Sequence, residues 1–215
     1  GADVPAVCLL DTGVNRGHAL LEPALAPADL FAYDPAWGID DHAGHGTPMG
    51  GIALHGDLVA PLADTETRTL LHRLESVKIL PPRPTDSSTP SAYGAITQAA
   101  VALPEISRSE RTRIFCMAVS NGDVAGARPS TWSAAIDQIA AGRMPGDDDD
   151  APRRLFIVAT GNAEPVMRLA DWNGHDAYPV EDPAQAWNAL TVGGYTDAIN
   201  VTDAGYEDWT PLAEA

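Results

Sequence analysis

With 215 residues and 45% hydrophobic content, the chain is long enough for one good core, and no Ser/Gly linker or internal repeat divides it in two. Its 30 acidic residues against 13 basic ones give a formal charge of -17, which argues against nucleic acid and anionic membranes as partners. No apolar run approaches the roughly 18 residues of a spanning helix and no signal peptide stands at the start, so a soluble chain is expected.

Along the chain, apolar runs of strand length alternate with helix-like segments. The first strand is predicted in "VPAVCLLD", ending on Asp11, and a glycine-rich helix, "HGTPMGGIALHG", begins at His45. A second strand follows in "HRLESVKIL", then a helix in "SAYGAITQAAVAL" with Ser91 as its cap. "RIFCMAVSNG" reads as a strand leading to Ser120 and Asn121, and "STWSAAIDQIAAG" as a helix capped by Ser130. "RLFIVATGN" is a strand that runs out at Asn162, and "NALTVGGYT" is the last strand. Between these elements "PPRPTDSSTP" and "MPGDDDDAPRR" have the composition of exposed loops. The run Asp147 to Asp150 lacks the alternate-position oxygens of a calcium loop and is expected to be solvated. Cys8 and Cys116 sit inside apolar strands, where buried free thiols are expected; the compartment stays open, with a lean toward a reducing cytoplasm.

Strands that are apolar throughout are buried on both faces, and strand–helix–strand repetition implies a parallel sheet with right-handed crossovers. The expected fold class is therefore α/β, a three-layer, doubly wound, mostly parallel sheet with helices on both faces. Ligands of such sheets gather at the carboxyl ends of the strands. Three strand ends carry pointed chemistry, at Asp11, at Ser120 and Asn121, and at Asn162, and His45 at a helix start can join them. No G-x-G-x-x-G follows the first strand and no Walker A sequence occurs, which disfavours a nucleotide-binding reading.

Each residue also has a plainer reading. Asp11 in "LLDTG" is an ordinary turn former, and the same five letters match the aspartic protease motif. That chemistry needs a second carboxylate to share a proton, and no second D-T/S-G occurs. His42 and His45 are spaced as two metal ligands could be, with Asp40 or Asp41 adding an oxygen, but a convincing third ligand is missing. A general base needs a carboxylate to orient its ring, and Asp11 can supply it. Gly46, Gly50, Gly51 and Ala53 would let the helix lie against its neighbours, a reason for glycines that each cost a helix interior about 1 kcal/mol. Asn162 is either a turn residue or an amide donor to a developing oxyanion.

Taken in order, these segments resemble the subtilisin-like serine proteases, or subtilases. "VCLLDTGVNRGHALL" is similar to the family's aspartate motif, with Asp11 and His18 in the matching places, and "GHGTPMGGI" to its histidine motif, with His45 as base. "ESVKIL" resembles the strand that follows, and "MAVSNGD" the strand that binds substrate backbone, through Ser120, Asn121 and Gly122. "IVATGN" resembles the oxyanion segment, with Asn162 as donor, and "YPV" and "NALTVGGYTD" the stretch beyond it. The resemblance runs from about Val4 to Asp197 and implies a serine-type endopeptidase acting on polypeptides. Members of this family often bind calcium between the histidine helix and the next strand; "LHGDLVAPLADTETRTLLHRL" shows no match, so no cofactor or metal is expected. The family's serine should follow the oxyanion asparagine in G-T-S-x-[AS], and no serine follows Asn162. Ser133 lacks the preceding glycine and comes too early, Ser87 and Ser88 lie in a Pro-rich loop, and Ser120 matches the substrate strand. The domain is thus expected to be C-terminally incomplete and inactive alone, with a C-terminal segment as the partner that supplies the serine. "DWTPLAEA" ends without a turn or cap, as a cut would. A pseudoprotease that binds peptides without cutting is the alternative. Loss of covering helices would expose an apolar patch and favour self-association.

Overall fold

The computed structural model describes residues 4–63, 65–82, 92–126, 128–162, 178–194, 205 and 208. Its centre is strand β1, Ala6–Asp11, in which Cys8, Leu9 and Leu10 are fully buried. Side chains alternate across a strand, so Cys8 and Leu10 enter one apolar cluster and Leu9 another. Burial on both sides is what an uninterrupted apolar run requires.

Around β1 lie β2 (Leu30–Ala32), β3 (Arg73–Lys78), β4 (Arg113–Met117), β6 (Leu155–Ala159) and β8 (Leu190–Val192). They form a six-stranded sheet in the order β2-β3-β1-β4-β6-β8, and all its pairings are parallel. Helix α1 (Gly46–His55) covers one face, with Leu54 packed among Leu9, Leu21, Leu25 and Leu74. Helices α3 (Tyr93–Ser107) and α4 (Thr131–Ala140) cover the other, where Ile96, Val101, Trp132 and Ile136 meet Phe115 and Phe156. The layers are those expected. After β1 the chain builds toward β2 and β3, then crosses to β4 on β1's other side. The carboxyl end of β1 is therefore a topological switch point, where open α/β sheets bind ligands.

Four elements were not readable in advance: β2, the short helix α2 (Val59–Ala63), and the two strands of a separate antiparallel pair, β5 (Asn121–Ala125) with β7 (Glu181–Asp182). β2 and β7 are too short to carry a period, and "NGDVA" is too polar to resemble a core strand. Ser130 caps α4 through a capping box with Ser133, whose hydroxyl is thereby engaged. The expected cap Ser91, like Ser87 and Ser88, lies outside the described residues; the capping position of α3 falls on Ala92. Both thiols are free, and because Cys8 and Cys116 belong to clusters on opposite faces of the sheet they cannot approach each other.

Buried charges close the amino end of the sheet. Glu75 accepts from Arg111 at 2.6 Å and from Arg113 at 2.8 and 3.1 Å, and Arg111 also reaches buried Asp29 at 3.0 Å. At the start of β6, Arg154 bridges Glu105 and Asp147, both at 2.7 Å. Asp147 is thus a structural partner, held below the usual carboxylate range first by that bond, while Asp148 to Asp150 are exposed.

Candidate active site

Asp11 ends β1 with its side chain fully buried. Its Oδ1 accepts from the Thr12 N–H at 2.7 Å and lies 2.7 Å from His45 Nδ1. His45 stands at the start of α1 with its side chain 45% exposed, so one ring nitrogen is held by the carboxylate while the ring remains accessible. A close backbone approach makes this possible. A Cβ on Gly46 would fall 2.1 Å from the Gly13 carbonyl oxygen and 3.3 Å from Asp11 Cβ. Only glycine lets the helix start sit against the turn after β1. Gly50 allows a similar approach a turn further along, against Leu74, whereas a Cβ on Gly51 would make only ordinary contact.

Asp41 fastens this arrangement. Its Oδ1 accepts from the N–H groups of Ala43 (3.2 Å), Gly44 (2.8 Å) and His45 (3.3 Å) and from the Thr12 hydroxyl (2.8 Å), and its Oδ2 from the Thr47 N–H (2.9 Å). Burial by itself would raise its pKa, but the bonds from Thr47, Thr12 and Gly44 outweigh this and lower it from 3.8 to about 2. The anion also suits the positive end of α1. Thr12 Oγ1 in turn accepts from the Gly46 N–H at 3.0 Å, so one hydroxyl ties strand end, loop and helix start together. The sequence offered Asp41 only as a possible metal oxygen beside His42 and His45 and did not single out Thr12; an aspartate six residues ahead of a helical N–H is a weak signal for the role it takes.

Lys78, the chain's one lysine, faces Asp11 in the β1–β3 register and is 1% exposed. Its Nζ donates to the Asp40 carbonyl at 2.6 Å. Burial lowers its pKa, and the carboxylates of Asp41 and Asp40 oppose that shift. His18 engages Nδ1 with the Leu20 N–H at 3.3 Å and takes no part in the Asp11–His45 pair. His42 is exposed, and among the described residues no group of three or more His, Cys, Asp or Glu is arranged to hold a metal.

The other strand ends lie on the same edge, since β1, β4 and β6 are parallel neighbours. Ser120 follows β4 and its hydroxyl donates to Glu181 Oε2 at 2.5 Å. Asn121 Oδ1 accepts from the Asp123 N–H at 3.1 Å, and Asn121 pairs with Asp182 of β7. Asn162 is exposed just after Gly161, whose φ is 100°. Glu181, absent from the sequence-based expectations, borders a cavity of about 370 Å3 together with Gly161 and Asn162.

A model of the subtilase family matches residues 3–209. The chain belongs to the subtilase family. Subtilases are serine-type peptidases, and the fold agrees with solved members of this kind. One solved structure, titled S41 psychrophilic protease, is 18% identical and superposes with a TM-score of 0.56, over 93% of this chain and 56% of that one. The epidermin leader peptide processing serine protease from Staphylococcus aureus is 14% identical with a TM-score of 0.52, over 90% and 47%. This subtilase chain thus spans about half the length of those structures. No curated protein sequence is significantly similar to it. No helix among the described residues is long and apolar enough to cross a membrane.

Proposed function

We propose that this chain is the Asp- and His-bearing portion of a serine-type endopeptidase. The observation that carries the reading is the 2.7 Å contact between His45 Nδ1 and fully buried Asp11. A carboxylate on Nδ1 fixes the tautomer with the proton there, which leaves Nε2 as a lone-pair acceptor on an exposed ring. In this role Asp11 orients His45, and His45 removes the proton of a serine hydroxyl as it attacks the peptide carbonyl, then returns it to the leaving amine. The Asn162 side chain donates to the oxyanion. Among the described residues β5 pairs on one side only, with β7, so an extended polypeptide can add as a strand along Ser120 to Gly122. No cofactor or metal enters this chemistry.

The serine is to be supplied by a segment C-terminal to this chain, in keeping with the greater length of the solved relatives and with the absence of serine beyond Asn162. Labelling by a fluorophosphonate probe tests this. The full-length protein is expected to label, the 215-residue chain alone to remain unlabelled, and mixing the chain with the C-terminal segment to restore labelling. Asp11→Asn in the full-length protein should slow labelling by about 10,000-fold. A folded full-length protein that never labels would leave a peptide-binding pseudoprotease instead.

A further inference from the structure

Glu181 is the first residue of β7, yet its side chain reaches across to two other segments. A Cβ on Gly161 would lie 2.4 Å from Glu181 Cγ and 2.5 Å from its Oε2, and one on Gly122 would lie 3.1 Å from Oε1. The carboxylate is thus set between two glycines, one after β6 and one in β5, in space that any larger residue would fill. Ser120 holds Oε2 from a third direction. The main chain is fixed as well: the Glu181 N–H donates to the Thr160 carbonyl at 2.8 Å, and the Gly126 N–H to the Val180 carbonyl at 2.7 Å. A carboxylate this constrained is built to face something.

It faces the cavity of about 370 Å3 whose walls include Gly161, Asn162, Tyr178, Val180 and Gly194. That volume accepts a long side chain. Among the described residues no cation pairs with Glu181, and the Ser120 hydroxyl is the one hydrogen-bond donor to its carboxylate. A half-buried anion lacking a cation gains most from a ligand that brings one. The same cavity borders Asn162, so a chain laid along Ser120 to Gly122 with its carbonyl at Asn162 has a side chain at the cavity mouth. The net charge of -17 adds attraction for cations at longer range.

We propose that Glu181 makes this cavity a site for a cationic side chain, so that the polypeptide substrate carries arginine or lysine at the residue whose carbonyl meets Asn162. The proposal rests on the peptidase reading above and specifies its substrate class. Glu181 is the specificity-determining residue; Gly122 and Gly161 leave the space its carboxylate occupies, and Gly161 in addition holds a φ of 100° that favours glycine.

Two measurements on the full-length protein test it. The first compares kcat/KM for peptides that differ only in arginine or citrulline before the scissile bond, a pair with the same shape and hydrogen-bonding length but different charge. Arginine is expected to be favoured by about 30-fold or more, and Glu181→Gln should bring the ratio toward one. Equal rates in the unaltered protein, or an unchanged ratio in Glu181→Gln, would overturn the proposal. The second measures benzamidine binding by calorimetry, which needs no turnover. Saturable binding that Glu181→Gln weakens at least tenfold supports the cationic site even in a protein that fails to label with the fluorophosphonate, in which case only the peptidase reading falls. Absence of saturable benzamidine binding to the unaltered protein defeats the proposal whether or not the protein cleaves peptides.

Discussion

At the scale of single residues, the site depends on a carboxylate that performs no chemistry. Asp41 is 6% exposed and its pKa is lowered from 3.8 to about 2. A depressed carboxylate stabilises the fold fully above its unfolded pKa, and that stability is lost as pH falls from about 4 through about 2. The shift corresponds to something on the order of 2 kcal/mol at neutral pH. Urea unfolding at a series of pH values should find Asp41→Asn less stable by that order at pH 7, with the difference closing as pH approaches 2. A constant difference down to pH 2 would mean that shape, not charge, holds the helix start. Asp11 and His45 were legible because their motifs carry distinctive neighbours, the glycines above all. Asp41 and Glu181 were not, because their roles depend on which backbone segments fold against them, and a lone acidic residue in a polar stretch carries no trace of that. Lys78 carries no motif either, although its burial and its bond to the Asp40 carbonyl make it a member of the site's surroundings.

At the scale of elements, the strands that could be read were β1, β3, β4, β6 and the short strand β8; of these β1, β4 and β6 are apolar runs with little interruption. β3 is the instructive case. Its sequence "RLESVK" carries three ionisable residues in six, yet all but Arg73 are buried. Glu75 tolerates this because Arg111 and Arg113 reach it from the segment that opens β4. Removing one partner of a buried ion pair leaves the others uncompensated, so Glu75→Ala is expected to cost about 3 kcal/mol or more in urea unfolding. A loss below about 1 kcal/mol would mean that water reaches the arginines. The pairings at the edge escaped sequence reading for a different reason: β5, β7 and β2 are short and are held by tertiary partners more than by their own pattern.

Over the whole molecule the two ends of the sheet have separate tasks. Buried ion pairs seal the amino end, while the carboxyl end gathers Asp11, His45, Ser120, Asn162 and Glu181 around the switch point. The sheet's last strand in the described residues, β8, leaves Leu190 and Val192 half exposed, and nearby Trp187 is 87% exposed. The isolated 215-residue chain is therefore expected to bind a hydrophobic dye and to elute above monomer size, and both properties should diminish when the C-terminal segment is added; a dye-silent monomer would contradict this. A quieter property follows from Lys78. Because the one side-chain amine is enclosed between β1 and the loop of Asp40, the folded chain presents amine-directed reagents and lysine-specific proteases with no internal target. Any cut after Lys78 then reports that the sheet has opened beside Asp11, making this residue a built-in gauge of the site's integrity that requires no introduced label.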